Sequence, residues 1–465
     1  MTHLTLGIDI GTSSVRVAAF PTDDWEFLDE TLGTRSMPVS RGTDGAETVD
    51  PFDLLAAVIG AMDDCLENIP PDSVIDSIGT SCFWHSVIPV DENKRPIGPV
   101  LLWSDRRCAD IVDTLRTEQP DLPNITGCPW HASFAISKIE WWKRSGFEAP
   151  HKWLSPAEWV ESQLLADAGG PSVCMASASG CMNQVRHCWL DAYTDVLNAI
   201  SDTPRVDLLP EYTNRWPILV GVPWVPAIGD GAAANLGTGH WKDGSVTVTV
   251  GTSVAVRRCC DGQIPSRPDG LWRYQLTAER WLVGGASSNG GSVWQWLSNH
   301  LKFNPDALLT LRSKSPTVTV LPYYSGERAP WWQDHLTASI HGLTAGTSGE
   351  EIALAHIEAI AVHTSWIAQK LGVGPDTVLA ASGNALQHSP LLIQCIADAC
   401  GCTVEQQETG EQSLIGAARW AMHIINNCEL STTWINKCDE YKSTDTGTTR
   451  MKQIAITMND LLQHH

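Results

Sequence analysis

Apolar and polar positions alternate in two similar blocks, one in each half of the chain. Over residues 4–20 a β-branched, apolar pattern is broken once, at Gly11-Thr12-Ser13, and predicts a hairpin folded at that turn. Past the midpoint the pattern returns at Val246–Val250 and breaks at Gly251-Thr252-Ser253. The first block closes with Arg16 and the second with Arg257. Residues 53–66 carry Leu54, Leu55, Val58, Ile59 and Met62 on one side, with Pro51 just ahead, and predict an amphipathic helix. Residues 75–81 read as a short buried strand. Residues 101–103 are apolar, end in Ser104-Asp105-Arg106-Arg107 and precede a helix. Residues 225–239 predict a strand, a tight turn at Gly229-Asp230-Gly231 and a helix of small residues. Downstream, residues 350–371 predict a long helix, residues 378–384 a strand that ends in a turn, and Pro390–Cys400 a further helix. Strands alternating with helices predict an α/β fold.

The two Gly-Thr-Ser turns are the first candidates for chemistry. Glycine lets the backbone approach a ligand, and the amides and hydroxyls that follow can bond phosphate oxygens. One such turn per half fits two similar domains gripping a single polyphosphate; two unrelated strand-turn units give the same pattern. The chain has no GxxxxGK[ST] loop, and no GxGxxG joins a strand to a helix, so any nucleotide is held by the paired turns. Asp9 interrupts an apolar strand two residues before the first turn. It either faces a cation such as Mg²⁺ or caps its own turn. Asp230, between two glycines at a helix start, is either a general base open to substrate or a helix cap.

Composition narrows the partners. The chain has 465 residues, enough for two or three domains, and 43% of them are hydrophobic. A net charge of −22 argues against a nucleic-acid or polybasic membrane surface. There is no basic leader pattern and no apolar run of membrane-spanning length, so the expectation is a cytoplasmic protein. The 14 cysteines lack paired CxxC spacing and read as reduced, mostly buried thiols. Of 21 tryptophans, Trp84 and Trp103 stand out because polar residues surround them.

Taken in order, several segments resemble the FGGY family of carbohydrate kinases over nearly the whole length. They are residues 7–13, Trp103 to Arg107, Thr126 to Pro129, Gly229 to Gly237, Val250 to Ser253, Gly326-Glu327-Arg328-Ala329-Pro330, and Ser382-Gly383 through Ser389-Pro390. The resemblance implies two actin-like, ribonuclease H-like α/β domains with an ATP cleft between them, the superfold of hexokinase, actin and Hsp70. It divides the chain into residues 1–236, with the sugar pocket, first phosphate turn and catalytic Asp, and 237–465, with the second phosphate turn and adenosine site.

The resemblance also implies roles. Asp230 matches the catalytic base and a water-mediated contact to Mg²⁺, and Asp9 the carboxylate that orients the metal. Gly11, Thr12, Ser13 and Arg16 match one ATP phosphate segment, and Gly251, Thr252 and Ser253 the other. Gly383 and Asn384 match the adenosine turn. Trp84, His85, Asp105 and Arg106 match sugar-contacting positions. The substrate expected is a small sugar or sugar acid, with ATP and Mg²⁺ as cofactors, no nucleic-acid or membrane partner, and a homodimer as a possible assembly.

Within the family, residues 283–291, Trp84-His85-Ser86 and Gly326 to Trp332 resemble the gluconate-kinase branch. The expected reaction is ATP-dependent conversion of gluconate to 6-phosphogluconate. The alternative is a pentulose (xylulose or ribulose) or polyol kinase; from another class, it is a non-catalytic actin-like nucleotide-binding regulator. An anionic substrate needs a cation or several donors, and Arg106, Arg107, Lys138 and Arg186 are the candidates. The chain departs from the family pattern twice. Asn384 stands where a second glycine is usual, and residues 131–138 keep a His and a Lys but lack the usual prolines.

Overall fold

Two hairpins, each extended by parallel strands, organise the protein. The computed structural model describes residues 2–22, 26–387, 389–406, 411–426, 428, 430 and 439–463. In the first sheet, β1 (Thr2–Ile10) and β2 (Ser14–Pro21) form the hairpin around Gly11-Thr12-Ser13. β3 (Gly33–Ser36) adds antiparallel to β2; β4 (Ser73–Cys82) and β5 (Trp224–Gly229) add parallel on the other side. The order is β5-β4-β1-β2-β3. Helix α1 (Pro51–Glu67) makes the crossover to β4. It starts two residues earlier than the periodicity implies. The Asp50 carboxylate accepts from the Phe52 amide at 2.7 Å, and Pro51 supplies a first helical residue that needs no amide partner.

The second sheet repeats that core. β6 (Val246–Val250) and β7 (Val254–Asp261) form its hairpin, with β8 (Trp272–Gln275) and β9 (Arg280–Ser287) beyond β7. β10 (Val378–Ser382) and β11 (Thr403–Gln406) run parallel to β6, and β12 (Asp439–Lys442) closes the edge. The order is β8-β9-β7-β6-β10-β11-β12. Without its two edge additions this is the first sheet's order and direction again, the doubled α/β architecture that the resemblance implies.

The two hairpins differ by one residue. Ile10 pairs with Val15, whereas Val250 pairs with Val254. Asp9 therefore stands opposite Arg16, but its counterpart Thr249 stands opposite Ala255. Arg257 lies one same-face step further along β7, opposite Thr247.

The helices set the sheets around one cleft. Among them, in chain order, are α2 (Ala135–Arg144), in the long insertion between β4 and β5; α3 (Asp230–Gly237), running on from β5; α4 (Gly291–His300); α5 (Gly349–Lys370); α6 (Asn384–Gln387); α7 (Pro390–Cys400); α8 (Gln412–Asn426); and α9 (Asp445–Leu462). α5 opens with a capping box in which the Ser348 hydroxyl accepts from the Glu351 amide and the Glu351 carboxylate from the Ser348 amide. The division at 236/237 assigns α8 to the second half, yet α8 packs on α3, β1 and β4 of the first. Glycines permit that approach: a Cβ on Gly79 would lie 2.0 Å from the Ala417 carbonyl, and one on Gly416 1.8 Å from the Ala233 carbonyl. The small-residue helix read from residues 230–237 is therefore packed against the returning chain. Among the described residues no helix is long and apolar enough to cross a membrane.

Candidate active site

Both Gly-Thr-Ser turns open onto two adjoining cavities. The first, of about 250 Å³, is lined by Thr12 from one turn, Gly251, Thr252 and Ser253 from the other, and Asp230 between them. The second, of about 390 Å³, is lined by Thr12, Ser13, Thr252, Ser288 and Ser292. Thr12, Trp103, Ser133, Thr252 and Arg328 border both. The second turn abuts the start of α4, where the Gly291 amide donates to the Gly251 carbonyl at 2.7 Å. Gly383 lines neither cavity but holds the neighbouring junction. Its φ is +100°, and a Cβ there would lie 2.4 Å from the Val250 carbonyl, so β10 can turn into α6 against β6 only with glycine. Asn384 opens α6, and its side chain lies outside the described residues.

Asp230 is the first residue of α3, and its Oδ1 accepts from the Gly231 amide at 2.7 Å. Burial raises its pKa, while Arg257, that amide and Arg328 pull it back. Behind it, Trp84 fills the space that a side chain at 229 would need: a Cβ on Gly229 would lie 1.8 Å from the indole. Trp84 meets Tyr274 edge-on at 5.1 Å, and Tyr274 stacks on Trp272 at 4.0 Å, so β8 forms an aromatic wall. His85, in left-handed geometry at φ 69°, has its Nδ1 2.8 Å from the Ala178 carbonyl. Burial lowers its pKa to about 3, so the ring is neutral; Nδ1 donates and Nε2 remains an acceptor, 3.5 Å from the Tyr274 hydroxyl.

Asp9 lies deeper, on β1. Its Oδ1 is buried without a hydrogen-bond partner, and burial raises its pKa to about 7 despite Arg16 at 3.6 Å. No cluster of three metal-ligating side chains occurs among the described residues. The donor set suits a hard cation held mainly by phosphate oxygens and water, with one carboxylate behind it.

Several residues expected at the site are elsewhere. Arg16 lines neither cavity; it is taken up by Asp9 and by Glu411 at 3.1 Å. Asp105 is buried, lines neither cavity, and is bonded by the Arg107 guanidinium at 2.6 Å. Arg107 is thereby occupied and lies over the Trp141 ring at 4.8 Å. Lys138, buried on α2, donates to the Ala132 and Ser133 carbonyls at 2.7 and 2.9 Å and fixes the 131–134 loop. Arg186 is exposed and lines neither cavity. Arg106 does line the second cavity, tied to Asp334 at 3.6 Å. Asp334 also takes His131 at 3.1 Å, which bolts the two halves together across the cleft.

The cations that do face the first cavity are Arg257 and Arg328, both buried. The Arg257 Nη1 donates to Thr249 Oγ1 at 2.9 Å; the Arg328 Nη2 donates to the Ser287 carbonyl at 3.1 Å. Arg328 stacks over Trp103 at 4.8 Å, and Trp103 in turn donates to Thr12 Oγ1 at 3.2 Å. The Nε of each arginine is buried without a partner. Both arginines stand in segments singled out from the sequence; what signals their role is their burial, which spacing does not show.

Residues 4–237 match the N-terminal domain of the FGGY family of carbohydrate kinases, and residues 246–425 its C-terminal domain. The chain belongs to this family. Among curated relatives it is 28% identical to the gluconokinase of Bacillus subtilis (strain 168) over 450 residues, covering 90% of this chain and 86% of that protein. It is 26% identical to the xylulose kinase of Escherichia coli (strain K12), covering 90% of each. The fold superposes on gluconate kinase from Lactobacillus acidophilus with a TM-score of 0.90 at 21% identity, covering 100% and 98% of the two chains. It superposes on Plasmodium falciparum glycerol kinase with ADP at 0.82 and 20% identity, with the same coverage. This FGGY protein is thus a carbohydrate kinase on the actin-like fold, using ATP and a small sugar substrate.

Proposed function

We propose that this carbohydrate kinase phosphorylates the terminal hydroxyl of a sugar acid, gluconate first, giving 6-phosphogluconate. The observation that carries this reading is the buried guanidinium of Arg257, which faces the cavity that holds Asp230 together with Trp84, His85 and Tyr274, whereas Arg328 borders the phosphate turns as well. Unpaired buried cations are costly, and an anionic ligand offsets that cost. The gluconokinases among the relatives, at 28% and 27% identity, support the same choice.

In this reading Asp230 accepts the proton of the attacking hydroxyl as its oxygen bonds to the γ-phosphorus and the bond to the ADP oxygen breaks. The Gly231 amide holds Asp230 Oδ1, so the other oxygen is available to the substrate. The hydroxyls and amides of Thr12, Ser13, Thr252 and Ser253 bond the phosphates from both sides. Asp9, with its unpartnered Oδ1, and Asp230 through water would hold Mg²⁺, which neutralises phosphate charge when bound. Gly383 and Asn384 border the adenosine. Neutral His85 accepts a substrate hydroxyl at Nε2. Asp105 and Arg16 support the loops without touching substrate.

A pentulose kinase is the second reading, favoured by the aromatic wall of Trp84, Trp272 and Tyr274, which suits any sugar face. ADP release with Mg-ATP and gluconate, xylulose, ribulose, glycerol or no sugar decides between them. Release with gluconate alone is expected; release with a ketopentose in preference replaces this reading with the second.

A further inference from the structure

The cavity holds two buried arginines, and they are not equivalent. Arg328 borders both cavities, next to the phosphate-turn residues Thr12 and Thr252, with its guanidinium stacked on Trp103. Arg257 borders the first cavity only, among Trp84, His85, Tyr274 and Asp230. Its backbone lies four residues past Ser253 on β7, and its Nη1 is anchored on Thr249 Oγ1 at 2.9 Å. Ala255, on the same face of β7, lines the same cavity, and Arg257 Nε is packed against Gly231, where an added Cβ would lie 2.5 Å from it. Arg257 is 8% exposed, makes no ion pair within 4 Å of a described carboxylate, and leaves Nε unpartnered. Asp230 is the charged group nearest to it in effect, and it is reserved for the substrate hydroxyl.

We infer that Arg257 is the specificity-determining residue of this site: its guanidinium receives the carboxylate of the sugar acid, while Arg328 serves the phosphoryl end. The inference rests on the sugar-acid reading above. A guanidinium offers paired, charge-assisted hydrogen bonds to a planar carboxylate, and a neutral CH₂OH in that place uses none of that charge. Discrimination between an aldonate and the corresponding alditol is then concentrated in one side chain.

The test compares wild type, Arg257→Met and Arg257→Lys, each with ADP present, for binding of gluconate and of glucitol by calorimetry, alongside kcat and KM for gluconate. Glucitol differs from gluconate by CH₂OH in place of the carboxylate. Wild type is expected to bind gluconate at least 100-fold more tightly than glucitol. Arg257→Met should bring the two affinities within about 3-fold of each other by weakening gluconate alone, with the kinetic loss mainly in KM, and Arg257→Lys should recover part of the preference. ADP affinity reports folding and stays unchanged in all three. Equal weakening of both polyols, a loss confined to kcat, or an unaltered gluconate preference in either variant overturns the inference. A wild-type protein that binds and phosphorylates no aldonate refutes the sugar-acid reading itself, before any variant is made, and the inference falls with it.

Discussion

Arg257 passes so close over Gly231 that a single added methyl would lie 2.5 Å from its Nε and 2.5 Å from the Trp84 ring. The glycine after Asp230 thus makes room for a cation and an indole at once. It is a packing requirement set by the cavity floor, distinct from any backbone strain.

Gly231→Ala tests that requirement. Neither neighbour yields easily: the Arg257 guanidinium is buried and bonded to Thr249 Oγ1, and Trp84 is wedged under Gly229 and against Tyr274. We expect a loss of about 1–3 kcal/mol in stability and a drop of roughly tenfold or more in kcat/KM for gluconate. Thermal unfolding and steady-state kinetics check both; unchanged values would mean that the floor is looser than described.

Asp230→Asn should lower kcat by roughly 10²–10⁴-fold with ADP affinity preserved. The side chain keeps its size and its acceptor for the Gly231 amide, so a folding defect is not expected. Turnover near wild type would remove Asp230 from the base role.

Asp9 carries a pH signature. Folded Asp9 titrates near 7 and an unperturbed aspartate at 3.8, with burial as the leading cause. The folded state therefore binds the proton more tightly, and stability without nucleotide falls as pH rises between those values. Asp9→Asn removes the buried charge. Its Tm should exceed that of wild type by roughly 2–5 °C at pH 7.5, with a smaller difference at pH 5, while Mg²⁺-dependent turnover is lost. A difference that grows toward acid pH would contradict the burial of this carboxylate.

Asp334 joins His131 and Arg106 across the cleft. Asp334→Ala leaves a buried imidazole and a guanidinium without that acceptor. The expected cost is about 1–3 kcal/mol, with KM raised for sugar and ATP together and ATP hydrolysis without sugar increased. A change in sugar KM alone would make Asp334 a substrate contact instead.

Much of this was legible in the chain. The two Gly-Thr-Ser turns, the strand-turn-helix around Asp230 and the helix at 350–371 follow from periodicity and turn chemistry, because local backbone demands dictate them. What escaped depended on register and on neighbours. Arg16 and Arg257 close similar stretches, but the first hairpin has one extra turn residue and Arg257 lies one residue further past its turn, so they occupy different rungs and face different partners. Asp105, matched by the resemblance to a sugar-contacting position, is bonded by the arginine two positions on. Lys138 looked like a cation for substrate and is spent on two carbonyls. Arg328 was visible as part of a motif, but only its burial over Trp103 marks it as a site cation. The return of α8 to the first sheet joins residues far apart in sequence, which no local pattern encodes.

The most direct test of the account is ³¹P and ¹H NMR of the product formed from Mg-ATP and gluconate. A phosphomonoester coupled to the C6 protons, with gluconate consumed in step with ADP formed, is the predicted result. Gluconate left unchanged under conditions where a ketopentose is phosphorylated would contradict it.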